Sequence, residues 1–158
     1  MKLTITGRPK KKFNRLLYEE ASQWYADRIF SKNLNKKIKV DLEFATLPKE
    51  LYADCRYRNP KDCKYRYSVR LNRKMGQKMA LIALAHEMIH VKHYATRELT
   101  AIELEPSGDY IEVGKWHGKI YDSKKIDYWD LPWEIEAHGR EFGLYIRFIN
   151  DAVERGLA

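Results

Sequence analysis

The chain has 158 residues, of which 44% are apolar and 13% aromatic, enough for one domain with a hydrophobic core and too few for two. Its formal charge of +8 permits contact with nucleic acid or an acidic partner but identifies neither. There is no run of about 18 apolar residues, and no apolar segment follows the basic N-terminus, which argues against a membrane span and an export signal. Cys55 and Cys63 lack the spacing of a zinc or redox pair, so we expect free thiols. We expect a single cytoplasmic domain over residues 1–158, with no membrane partner.

The first part of the chain predicts a helix followed by strands. Residues 1–12 are basic, and we expect a flexible N-terminal segment there. Apolar residues at steps of three and four predict an amphipathic helix over 13–30. Alternation of apolar and charged residues predicts a strand over 37–45, and shorter strands are expected over 51–58 and 64–72. We expect these three strands to form a small antiparallel sheet.

The rest of the chain predicts a buried helix, a hairpin and a last helix. A nearly continuous apolar stretch without proline predicts a helix from residue 72 or 73 through Val91. A hairpin is expected over 109–122, with Gly114 near its turn. Pro132 suits the first position of a helix and Gly156 the residue after its end. The order of elements predicts an α+β fold.

The central apolar helix contains three ionisable residues whose spacing is typical of a functional site. His86 and His90 are four residues apart, so both imidazoles lie on one helix face and can bind one tetrahedral ion. Glu87 can then reach a water on that ion and act as a base. Burying three such groups without compensation would be costly, which favours a metal over a purely structural role. This HExxH pattern therefore predicts a Zn²⁺ site.

A catalytic zinc takes three protein ligands and a water, so a third ligand must come from elsewhere in the chain. His93 lies near the same face, but three imidazoles along one straight helix span about 10 Å, too far for one ion. We expect His93 to be a surface or helix-end residue. The other candidates are His117, Glu134, Glu136, His138 and Glu141.

The last helix offers two glutamates with different expected roles. Glu134 would be the third helical residue, where a carboxylate caps free backbone N–H groups. Glu136 shares a face with Gly139 and Gly143, whose small size would allow close approach to the metal helix. Glu136 is therefore the preferred third ligand, with His117 of the hairpin as the alternative. Other residues could support the ligands from the face shared with Glu134: Tyr145, His138 and Glu141.

The segments HEMIH and PWEIEA, the latter at 132–137, resemble compact gluzincin-type zinc metallopeptidases. That group includes small SprT-like and ImmA/IrrE-like domains and, especially, short phage-encoded proteins; the similarity covers 72–148. It implies a zincin-like fold and, for gluzincins, a ligand glutamate followed by alanine, as Glu136 is. In SprT-like proteins the third ligand is a histidine often followed by glycine, as His117 is. The resemblance also implies that YRYSVRLN, at 65–72, is an edge strand that binds an extended peptide.

The leading hypothesis is a zinc-dependent peptidase in which Glu87 assists attack of water on a protein or peptide substrate. Donors to the developing oxyanion could be Tyr145, Tyr128, His138 or Arg140. One alternative is a SprT-like protease acting on DNA-bound proteins, with weak nucleic-acid contact through the basic surface. Another is a non-catalytic interaction domain stabilised by a closed zinc site that includes both His117 and Glu136. If the chain is phage-encoded, the expected compartment is the host cytoplasm.

Overall fold

A computed structural model of the chain describes residues 1–10, 13–57, 64–106 and 111–157. These residues form an α+β fold with two small sheets, which confirms the predicted class. The helices are α1 (Arg15–Ile29), α2 (Lys32–Lys37), α3 (Gln77–Thr96) and α4 (Pro132–Glu154). The strands are β1 (Lys2–Gly7), β2 (Lys39–Ala45), β3 (Ala53–Arg56), β4 (Arg66–Asn72), β5 (Leu99–Leu104), β6 (Ile111–Trp116) and β7 (Lys119–Asp122). Cys63 and most of the segment that links β3 to β4 lie outside the described residues.

The first sheet has the strand order β1-β2-β4-β3 and is mixed rather than antiparallel. Its first strand lies within the segment expected to be flexible: residues 2–7 form β1 and pair in parallel with β2. Parallel pairing follows because α1 and α2 form the crossover between these two strands. β4 lies between β2 and β3, parallel to β2 and antiparallel to β3. The prediction of an antiparallel sheet was therefore wrong, and β3, not β4, is the edge strand beside α3.

The main core lies between this sheet and three helices. Alternate residues of β2 and β4 face inward, so that Val40, Leu42 and Val69 are almost inaccessible to solvent. α3 packs against α1, β3 and β4 on one side and against α4 on the other. It begins at Gln77, later than predicted. The strand β4 extends to Asn72, and a turn separates the end of this strand from the start of the helix. Packing from several directions explains why α3 is apolar on nearly all its faces.

The second sheet is an antiparallel arrangement of β5, β6 and β7. The predicted hairpin is formed by β6 and β7, but its turn is at His117 and Gly118, both of which have positive φ. Gly114 lies within β6 instead, where an added Cβ would come 3.0 Å from the ring of Trp133. Its missing side chain lets the start of α4 pack closely on this sheet.

α4 begins and ends as the sequence predicts. Pro132 is its first residue, and Gly156, with φ of 69°, follows its C-terminal end. No helix within the described part of the chain is long and apolar enough to cross a membrane.

Candidate metal centre

The middle of α3 places His86, Glu87 and His90 at the base of an open cavity. All three are buried, with 7%, 5% and 6% of their surface exposed. The Nε2 atoms of His86 and His90 are 2.9 Å apart, as expected for residues one helical turn apart that face the same point. The structure therefore brings the three HExxH residues together as predicted.

Glu134, from the first turn of α4, completes this group. Its Oε2 is 3.3 Å from His86 Nε2 and its Oε1 is 3.4 Å from His90 Nε2. Ligands bonded at about 2.1 Å to a tetrahedral ion lie roughly 3.4 Å from one another. The three side chains therefore have the chemistry and spacing of a site for a divalent metal ion. His138 offers a further nitrogen, since ligand atoms of His86, Glu134 and His138 lie within 4.8 Å of one another.

Glu136, the preferred third ligand in the sequence analysis, faces elsewhere. Its carboxylate contacts Lys92 Nζ at 3.1 Å, Arg140 Nη1 at 3.0 Å and His93 Nε2 at 3.3 Å. Residues two positions apart on a helix point about 200° apart around its axis. Glu134 and Glu136 therefore cannot both point at His86 and His90. The prediction that Gly139 and Gly143 lie on the face that approaches α3 was also wrong. Both glycines are exposed, and an added Cβ on either would meet no atom within 4 Å.

His93 lies in the last turn of α3, as the helix-end prediction has it, but it is a core residue and not a surface one. It is 0% exposed, and its ring lies 4.8 Å from that of Trp116 in β6. Burial lowers its pKa to about 3, so the imidazole is neutral. It is enclosed because the second sheet covers the end of α3, a long-range contact that the spacing within α3 does not reveal.

A second group of possible ligands surrounds His93 and consists of His93, Glu98 and Glu136. Here the negative charge already has partners, because Lys92 Nζ lies 2.6 Å from Glu98 and 3.1 Å from Glu136. Arg140 contributes another positive charge at Glu136. This group is therefore a balanced ion-pair network that needs no metal ion.

The centre around His86, unlike the group around His93, has carboxyls without Lys or Arg partners. Glu87, Glu134 and Glu141 all lie at or beside it, and no Lys or Arg in the described residues forms an ion pair with any of them. Burial raises the pKa of Glu87 to about 7. The pKa of Glu134 is depressed, because its histidine neighbours outweigh the effect of burial. A bound cation would supply the positive charge that protonated histidine must provide in its place.

The carboxylates also determine how His86 is held. Burial lowers the pKa of His86, but hydrogen bonds to Glu134 and Glu141 outweigh this and raise it to about 10. Glu141 Oε2 lies 2.7 Å from His86 Nδ1 and fixes the ring so that Nε2 faces the centre. Glu141 thus occupies the supporting position that the sequence analysis considered for it.

Among the proposed oxyanion donors, Tyr128 lies closest to the ligands. It belongs to a short 3₁₀ helix before α4, and its hydroxyl donates to Glu134 Oε2 at 2.6 Å. The same hydroxyl is 3.2 Å from His138 Nε2, and the His138 ring is 4.5 Å from that of His86. Tyr145 lies in the main core and lines neither cavity beside the centre. Arg140 is engaged with Glu136.

His117 is not brought to the centre. It lies on the exposed turn between β6 and β7, with its ring against Trp116. The closed zinc site that would include His117 and Glu136 together with His86 and His90 is therefore not the arrangement present.

Two cavities share His86 and Glu87 in their linings. β3 borders both of them, with Ala53 common to the two linings. β3 is the last strand of its sheet within the described residues. β4, the strand expected to be the edge, lies inside the sheet between β2 and β3.

Comparisons of the chain with protein-family models, with curated proteins and with solved structures found no match in any of the three.

Proposed function

We propose that the protein is a zinc-dependent peptidase with a zincin-like site. The observation that carries this proposal is the convergence of His86, His90 and Glu134. The two imidazole Nε2 atoms are 2.9 Å apart, and they lie 3.3 and 3.4 Å from the two different oxygens of Glu134, which has no Lys or Arg partner among the described residues. Two imidazoles, one carboxylate and an open position constitute a common set in zinc hydrolases. Glu87, adjacent to the ligands, supplies the base that a peptidase needs.

The residues around the centre have complementary roles in this proposal. Bound zinc would polarise the carbonyl of the scissile peptide bond and increase the acidity of a water molecule. Glu87 accepts the proton of the attacking water and then donates it to the leaving amine. In the metal-free protein burial raises the pKa of Glu87 to about 7, so its environment favours the uptake of a proton that this role requires. By turning its one O–H from Glu134 to the substrate, Tyr128 can donate a hydrogen bond to the negative charge that develops on the carbonyl oxygen.

β3 borders both cavities, so an extended peptide that occupied them would lie along this strand. A peptide aligned on β3 would pass between the two cavities and across Glu87, since Ala53 lines both cavities. This arrangement supports a peptide or unfolded protein segment as the substrate.

The test of the proposal is peptide-bond cleavage by the zinc-loaded wild type and by Glu87→Gln, with a complex mixture of peptides as substrate and mass spectrometry as readout. We expect the wild type to generate new termini and Glu87→Gln to lose activity by about 10²-fold or more, since that is the contribution of a positioned base. Zinc content of both proteins is the control, because Glu87 is not a ligand in this scheme. Absence of cleavage by zinc-loaded wild type, or equal cleavage by the two proteins, would contradict the proposal.

A further inference from the structure

Large apolar side chains are exposed around the second of the two cavities beside Glu87. Tyr52, Met79 and Trp129 are 58%, 44% and 65% exposed, and all three line this cavity. It has a volume of about 470 Å³, within the range of small-molecule pockets. Exposed apolar groups that converge on one cavity indicate a binding site, whereas scattered ones need no explanation.

The cavity is continuous with the candidate metal centre. Met79, Ala83 and Glu87 follow one another at four-residue steps and so form one stripe along α3. The stripe leads from the apolar wall of the cavity to the proposed base, and His86 also lines the cavity. A group inserted here would therefore be attached to a main chain that lies at Glu87.

The charges on the lining select among possible occupants. The ionisable groups there include three carboxyls, those of Glu50, Glu87 and Glu141, and two imidazoles, those of His86 and His138; no Lys or Arg lines the cavity within the described residues. An acidic side chain would lie beside the three carboxyls without a Lys or Arg to compensate its desolvation. An uncharged apolar side chain would instead cover the exposed rings and remove apolar surface from water.

We propose that this cavity is the specificity site of the protein and binds a bulky apolar side chain, such as leucine, methionine or phenylalanine, of the substrate residue beside the scissile bond. The inference rests on the proposed peptidase function for its link to cleavage. The binding itself does not require catalysis, and it can be measured separately.

The experiment uses the zinc-loaded Glu87→Gln protein and fluorescently labelled peptides that differ at one central position, with fluorescence anisotropy as readout. We expect peptides with leucine or phenylalanine at this position to bind at least 10-fold more tightly than the alanine peptide. The glutamate peptide should bind more weakly than the alanine peptide. Adding Ala83→Phe should fill the cavity and remove the preference for leucine and phenylalanine.

Ile120→Phe is the matched control, because Ile120 is 61% exposed on β7 and lines neither cavity. This change should leave the preference intact, and circular dichroism and zinc content would show that both variants fold. The proposal is overturned by absence of peptide binding, by equal affinity for the whole peptide series, or by a preference that survives Ala83→Phe. It is also overturned if the cavity is covered by a second copy of the chain, seen as a dimer that Trp129→Ala dissociates.

The two proposals fail in different ways. Apolar-dependent binding without cleavage by wild type would contradict the peptidase function and leave the pocket assignment standing. Cleavage without preference for an apolar residue at any position near the scissile bond would contradict the pocket assignment and leave the peptidase function standing.

Discussion

Glu134 and Glu136 are separated by one residue, but they belong to opposite chemical environments. Glu134 faces two histidines without a Lys or Arg counter-charge in the described structure, whereas Glu136 is bound by Lys92 and Arg140. The side chains of Glu134, His138 and Glu141, at steps of four and three residues, form one face of α4. That periodic face is the sequence signal that could have favoured Glu134 as the ligand, since it combines several groups able to bind or support a metal.

Tyr128→Phe tests the role of the hydroxyl beside Glu134. We expect zinc to be retained and kcat to fall by about 10²-fold with little change in KM, because a donor to the developing oxyanion acts mainly in the transition state. Tyr121→Phe is the control, since Tyr121 lines neither cavity. Unchanged kcat would exclude the donor role, and loss of zinc would indicate that Tyr128 instead positions Glu134.

At the scale of elements, the centre depends on how α3 and α4 pack. α3 supplies the HExxH residues, and α4 supplies Glu134 together with its supporting groups. Trp133, at the start of α4, packs against Gly114, and Phe148 packs against α1 near its other end. These contacts fix the rotation of α4 about its axis and thereby select which glutamate lies beside His86 and His90.

Phe148→Ala is expected to loosen this arrangement. Phe148 is fully buried, with its ring 5.9 Å from Trp24 and 5.6 Å from Tyr25, so the free energy of unfolding should fall by about 3–5 kcal/mol. Phe142→Ala on the same helix should change it by less than about 0.5 kcal/mol, because Phe142 is 54% exposed. Urea denaturation of both variants at one fixed zinc concentration provides the comparison. A similar loss in the two variants would show that Phe148 does not anchor α4.

At the scale of the whole molecule, local patterns predicted much more than long-range pairings. The helix over 13–30, the strand over 37–45 and the Pro132 helix start each depend on periodicity or on one residue, and the structure contains all three. The pairing of β1 with β2 was missed, because it joins segments more than 30 residues apart and depends on the crossover through α1. The burial of His93 was missed for a similar reason, since the covering strand is distant in sequence.

The same distinction applies to the candidate site. The spacing of His86 and His90 is contained within one helix and could be read from the sequence. The choice between Glu134 and Glu136 depends on the rotation of a second helix, which tertiary packing determines. The candidate metal centre is therefore a property of the whole fold, with one proposed ligand more than 40 residues from the others.

The most direct test is the zinc content of wild type, Glu134→Gln and Glu136→Gln, purified identically and measured by inductively coupled plasma mass spectrometry. The two variants remove the same charge from the same helix, so each serves as the control for the other. We expect about one zinc per chain in wild type and in Glu136→Gln, and a large loss of zinc in Glu134→Gln. Zinc retained in Glu134→Gln but lost in Glu136→Gln, or no metal in wild type, would contradict the assignment of the centre to His86, His90 and Glu134.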